Sequence, residues 1–93
     1  MTIQQIVGDN IRFYRYQCGW SQEKLAVRST LSVNYVSALE RGTVNISVYN
    51  LEKIANALKV EPAVLLVKDV YALREEQLQM LNAMVKKQCV APL

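Results

Sequence analysis

The tightest constraint in this chain lies between Gly19 and Gly42, in the run WSQEKLAVRSTLSVNYVSALER. Ser21 stands as an N-cap ahead of a short helix, Gln22 to about Arg28, that buries Leu25 and Ala26. Ser32 caps the next, Val33 to Glu40, with Val36 and Leu39 on one face and a stop at Arg41-Gly42. Only Ser29, Thr30 and Leu31 separate them, too little for anything but a turn. The second helix opens on Val33, Asn34 and Tyr35, none of them a good helix former, where a space-filling helix would carry Ala, Glu and Lys.

Elsewhere the chain reads as helix after short helix. Ile3, Ile6, Val7, Ile11, Tyr14 and Cys18 recur at steps of three and four, marking a first helix that Gly19 ends. Thr43 to Ile46 is a loop, and Ser47 caps a fourth helix that buries Val48, Leu51, Ile54, Ala55 and Leu58. Pro62 suits the first turn of a brief fifth helix bringing in Leu65 and Leu66. Asp69 caps a last one, Val70 to about Gln88. With 93 residues, few glycines and prolines and half its residues hydrophobic, the chain suits one compact, mostly helical domain.

Catalysis finds little support. The chain has no histidine to act as general base and no glycine-rich loop to cradle phosphates. Glu75 and Glu76 are adjacent, so on a helix they diverge by about 100° and cannot share a substrate. Cys18 and Cys89 stand far apart and offer neither a metal site nor a disulfide framework, so they read as reduced thiols in a cytoplasm. No cofactor, metal or membrane segment is expected.

The two helices flanking Ser29 to Leu31 have the layout of a helix-turn-helix, and its physics accounts for the odd opening of the second helix. A B-DNA major groove, about 12 Å wide, admits one α-helix, led by its N-terminal residues. Those must be polar, short or flat, while core residues such as Val36 and Leu39 hold the rear face. Asn34 suits the N6 and N7 edge of adenine, Val33 a thymine methyl, and Tyr35 a phosphate or base edge. Backbone N–H groups at both capped starts, near Ser21-Gln22 and Ser32-Val33, suit phosphates. Residues 10 to 45 carry five basic side chains against two acidic, whereas from Ile46 onward six basic face five acidic. The excess of the net +3 therefore lies on the proposed DNA-facing half.

Residues 7 to 66 resemble the Cro/phage-repressor type, or Xre-like, helix-turn-helix family. The matching pieces are Ile11-Arg12 with Arg15, then Gly19-Trp20-Ser21-Gln22-Glu23-Lys24-Leu25-Ala26, Leu31-Ser32, Tyr35-Val36-Ser37 and Leu39-Glu40-Arg41-Gly42. Leu51-Glu52-Lys53-Ile54-Ala55-Asn56-Ala57-Leu58 completes them. Asn34 to Ser37, Glu40-Arg41 and Asn45-Ile46-Ser47 look most like the small controller proteins of restriction–modification systems.

The resemblance implies roles by position. Gln22 stands at a phosphate contact; Ser32, Val33, Asn34, Tyr35, Ser37 and Ala38 face bases or adjoining backbone; Arg41, Thr43 and Asn45 lie where the following loop approaches phosphate. Arg15 and Glu40 match an ion pair between first and third helices. Thr30 departs from the pattern, standing where the turn usually has glycine, so its backbone is either strained or not left-handed. Phe13 and Tyr16 replace side chains that are polar in relatives, while Arg12, Lys24 and Arg28 read equally well as plain solvated charges.

The expectation is an all-α protein: a five-helix Cro/repressor-like domain over residues 1-67 and an additional C-terminal helix over 68-93. It is expected to bind double-stranded DNA as a cytoplasmic homodimer and regulate transcription from a palindromic operator. Val70, Leu73, Leu81 and Met84, part of a broad apolar stripe, are the expected dimerisation residues, the alternative being a helix folded back on its own domain. Phe13 and Tyr16, three apart on one helix, are candidates for the surface that stripe covers. The rival reading is a protein-binding adaptor or antitoxin-like module, for which exposed aromatics would serve.

Overall fold

The computed structural model describes residues 1–68 and Met80. Four α-helices follow one another: α1 (Ile3–Cys18), α2 (Gln22–Ser29), α3 (Val33–Arg41) and α4 (Val48–Leu58). A 3-10 helix, Pro62–Leu66, closes the described part, which contains no strand.

The helix boundaries are set by their caps. Ser21, Ser32 and Ser47 each accept a hydrogen bond from the backbone N–H three residues on, satisfying one of the donors that a helix start leaves open. Thr2 does the same for α1 and receives the Gln5 side chain on its own N–H, a reciprocal capping box. Gly19 and Gly42 end α1 and α3 in the left-handed region, at φ 71° and 72°. Thr30 and Lys59 end α2 and α4 in the same region, both at φ 59°. Thr30 is thus left-handed despite its branched Cβ.

The core joins Val7, Ile11 and Tyr14 of α1 to Leu25, Ala26, Val36, Leu39, Ile54, Ala55 and Leu58, and Val60, Val64 and Leu65 complete it. Ile11, Leu25, Ile54 and Leu65 are fully enclosed, each stabilising the fold by about 1.5–3 kcal/mol relative to exposure. Gly8 lets α1 approach α3 closely: a Cβ there would lie 2.4 Å from the Leu39 carbonyl oxygen.

Several expectations about burial are corrected. Ile3 is 54% exposed, Cys18 is exposed, Val48 is 83% exposed and Leu66 half-exposed, because the stripes run one turn beyond the part of each helix that has a neighbour. Buried Asn10, by contrast, lies on the α1 stripe and donates its amide to the carbonyls of Leu65 and Val67, both at 2.8 Å. The expected fifth α-helix is only a 3-10 turn for this reason. The carbonyls at its end are taken by Asn10, and five residues are too few to propagate an α-helix. The expected last helix, with Val70, Leu73, Leu81 and Met84, lies outside the described residues.

Candidate nucleic-acid interface

α2 and α3 are the pair expected from the sequence, joined by Thr30 to Ser32, and α3 is clamped from behind by the core through Val36 and Leu39. Its front presents Val33, 37% exposed, and Asn34, exposed with a side chain that makes no hydrogen bond among the described residues. At the start of α2, Lys24 N–H donates to Ser21 Oγ (3.0 Å); at the start of α3, Tyr35 N–H donates to Ser32 Oγ (3.1 Å). The backbone N–H groups of Gln22, Glu23, Val33 and Asn34 are left without intrahelical acceptors, two small donor clusters each at the positive end of a helix.

Behind this face sits a charged cluster that fixes how α3 leaves the body. Arg15 grips the Glu40 carboxylate with two N–H groups and donates a third to the Trp20 carbonyl (2.8 Å). Proximity to Glu40 holds the Arg15 guanidinium still more firmly protonated than usual. Arg12 is no free surface cation: it donates to the Glu40 backbone carbonyl at 2.7 Å and lies 3.6 Å from its carboxylate and 3.7 Å from Asp9. Gln22, expected at a phosphate, is half-buried and donates to Glu40 Oε1 at 3.0 Å. One amide therefore ties the start of α2 to the end of α3.

The other expected site residues differ in how they stand. Tyr35 is corrected from outward-facing to half-buried: its ring packs against the core and its hydroxyl accepts from Asn50 at 3.1 Å. The helical turn that exposes Asn34 carries its neighbour about 100° round, toward α4. Ser37 accepts a 2.6 Å bond from exposed Arg41, and the Thr43 hydroxyl donates to the half-buried Ala38 carbonyl at 3.2 Å. Asn45 is exposed and accepts from Gln4 of α1. Arg41, Thr43 and Asn45 are thus each held by a polar contact, the first two to α3 and the third to α1. Phe13 packs on the core edge-on to Tyr14, and Tyr16, three residues on, is 65% exposed with the Arg15 guanidinium 4.6 Å from its ring centre; the stripe they are expected to meet lies outside the described residues.

Gly8 and Asn10 were legible only in part. An isolated glycine inside an apolar helical pattern signals close approach, and Asn10 stands on the apolar stripe between Val7 and Tyr14, yet nothing local names their partners. Beside the loop runs an apolar groove of about 370 Å³, lined by Ile3, Val7, Ile46, Val48, Leu51 and Leu66. No helix among the described residues is long and apolar enough to cross a membrane.

Comparison with known proteins agrees with this geometry. The family described as helix-turn-helix matches residues 11–65. Over 66 residues the chain is 45% identical to the control protein C.BamHI of Bacillus amyloliquefaciens, covering 70% of this chain and 82% of that protein. It is 45% identical over 58 residues, 62% of its length, to a hypothetical transcription factor of Neisseria meningitidis serogroup B, of which the match spans 55%. The crystal structure of the Neisseria factor NHTF superposes with a TM-score of 0.72 at 38% identity, covering 85% of each chain. The restriction–modification controller protein C.Esp1396I, solved as a tetramer in complex with its natural 35 base-pair operator, gives a TM-score of 0.65 at 27% identity, covering 91% of this chain and 96% of that one.

Proposed function

The chain belongs to the Cro/phage-repressor type, Xre-like helix-turn-helix family of DNA-binding regulators, and from that premise we propose that it reads a specific double-stranded operator with α3 in the major groove. The observation that carries this reading is the front of α3. Asn34 and Val33 stand outward at a capped helix start whose backbone donors are open, beside the equally open start of α2. Asn34 and Val33 then read base edges, Ser37 and Ala38 line the groove wall, and Arg41, Thr43 and Asn45 follow the backbone. Ser32 spends its side chain on the cap and contributes its position. Gln22 keeps its second amide hydrogen to donate to a phosphate while holding Glu40.

The protein acts as a homodimer on a palindrome. One helix reads about four base pairs at roughly 1–3 kcal/mol each, too little to select one site in a genome. Two helices about 34 Å apart roughly double that discrimination. Residues 68-93 form the extension that makes or braces the dimer through Val70, Leu73, Leu81 and Met84. The apolar groove supports this assignment, since the chain leaves the 3-10 helix at its edge through Leu66. Likeness to C.BamHI supports a controller of a restriction–modification system as the biological setting.

Binding-site selection from random duplexes tests the reading. A two-fold symmetric site with half-sites about one helical turn apart is expected, with affinity falling steeply as salt rises. Recovery of no site, or retention indifferent to salt, refutes it and favours a protein-binding adaptor. Leu73→Asp with Leu81→Asp in the full chain should lower the mass in solution to that of a monomer.

A further inference from the structure

A second site lies where α2 and α4 end. Arg28, Ser29, Thr30, Lys53, Asn56 and Lys59 line a pocket of about 340 Å³ that holds three cations and no carboxylate. The Arg28 guanidinium stands 5.3 Å from the Trp20 ring centre, and the Lys53 ammonium 4.8 Å from that of Tyr49. Both are therefore held over aromatic faces. The ion pairs among the described residues all belong to Arg12 and Arg15, so neither Arg28 nor Lys53 has an acidic partner there. Basic side chains at helix C-termini complement the helix dipole, but two such ends amount to only about −1 charge. Arg28 and Lys53 alone bring +2, so about +1 is left over without counting Lys59, more than capping the helices requires.

We propose that this pocket binds an acidic segment of a protein partner while α3 is engaged on DNA. The orientation rests on the DNA-binding reading above. α2 starts at the phosphate-facing Ser21-Gln22 and α4 starts just after Asn45, and both run toward the pocket. At 1.5 Å per residue their far ends lie about 12 and about 16 Å from those starts, beyond easy reach of the same duplex. Arg28 supplies a planar fork that matches a carboxylate, with Lys53 as a point charge and the exposed Asn56 amide as a neutral donor. Val27, 75% exposed on the same turn of α2, adds an apolar contact that serves a peptide and not a phosphate.

The test uses the full-length protein and a fluorescein-labelled octapeptide of alternating Glu and Leu, with its Gln counterpart as neutral probe. Anisotropy should show salt-sensitive binding of the acidic peptide alone. Arg28→Ala with Lys53→Ala should weaken it at least tenfold and leave operator affinity within twofold, with unfolding midpoints confirming the fold. Lys24→Ala, which removes a cation of α2 outside the pocket, should leave peptide binding unchanged. Equal loss on Lys24→Ala, or no binding by the unmodified protein, overturns the proposal. So does a double variant that loses operator affinity with a shallower salt slope, because a backbone phosphate then fills the pocket. Absence of operator binding by the unmodified protein refutes the DNA-binding reading alone and leaves the peptide result to be judged separately.

Discussion

Arg15 and Glu40, 25 positions apart, meet in a two-pronged ion pair: Nε to Oε2 at 2.6 Å and Nη2 to Oε1 at 2.9 Å. The side chains are only 8% and 1% exposed, so solvent screens the pair little. Removing either partner alone strands a buried charge. Arg15→Ala or Glu40→Ala should each cost about 3–5 kcal/mol in denaturant unfolding, whereas Arg15→Met with Glu40→Leu should cost much less. Arg12 still bonds the Glu40 carbonyl in the double variant, since that bond uses the backbone. Single variants with unchanged midpoints would show that the pair contributes nothing.

Asn34 and Gln22 should fail differently when truncated. Asn34→Ala should cost about 1–3 kcal/mol of operator binding, relax preference at one position per half-site and leave stability untouched. Gln22→Ala should weaken all duplexes alike and also lower stability, because it removes a bond to Glu40. Competition between operator and mismatched duplexes separates the two. A uniform, sequence-independent loss for Asn34→Ala removes it from the reading set.

Gly8→Ala inverts a general rule. In an ordinary helix interior alanine is better than glycine by about 1 kcal/mol. Here the new Cβ would meet the Leu39 and Glu40 backbone oxygens at 2.4 and 2.9 Å, and neither atom can rotate aside. The expected outcome is a net loss of about 1–3 kcal/mol in urea unfolding. A gain would mean that α1 and α3 slide apart freely.

Thr30→Gly should stabilise modestly. A branched residue in the left-handed region costs about 1–2 kcal/mol, against which glycine loses about 0.5–1 kcal/mol of backbone entropy. The net expectation is a gain of about 0.5 kcal/mol, read from the unfolding midpoint. A loss would assign greater weight to the threonine hydroxyl, which donates to the Ser29 carbonyl.

Stability should fall as pH rises above about 10. Burial pushes the Tyr14 hydroxyl above its ordinary value near 10, so the unfolded chain ionises first and gains an advantage the folded chain lacks. The contribution is fully present below pH 10 and is lost between there and the raised folded value. The Cys18 thiol, though its residue is exposed as a whole, is partly desolvated and pushed up in the same direction, so the measurement belongs in a Cys18→Ala background. Tyr14→Phe should flatten the alkaline limb of the stability curve; an unchanged limb assigns it to other groups.

What the sequence determined by itself was local. Serine caps, apolar steps of three and four and the glycines after Cys18 and Arg41 are consequences of hydrogen bonding and backbone sterics within a few residues, so α1 to α4 begin and end close to where the pattern puts them. The outward stance of Asn34 is of the same kind, since a capped helix with Val36 and Leu39 behind it leaves Asn34 no other direction. Whatever depended on a neighbour in space was decided only in the tertiary structure. The phase of a stripe says which side chains share a face but not where the neighbouring helix stops, and so Ile3 and Val48 are exposed while Asn10 is buried. Tyr35 turns inward because Asn50 offers its hydroxyl a partner, and Gln22 and Arg12 converge on Glu40 because α1, α2 and α3 meet there. Such contacts join residues many positions apart, and their energies depend on burial and exact placement, which only the packed helices supply.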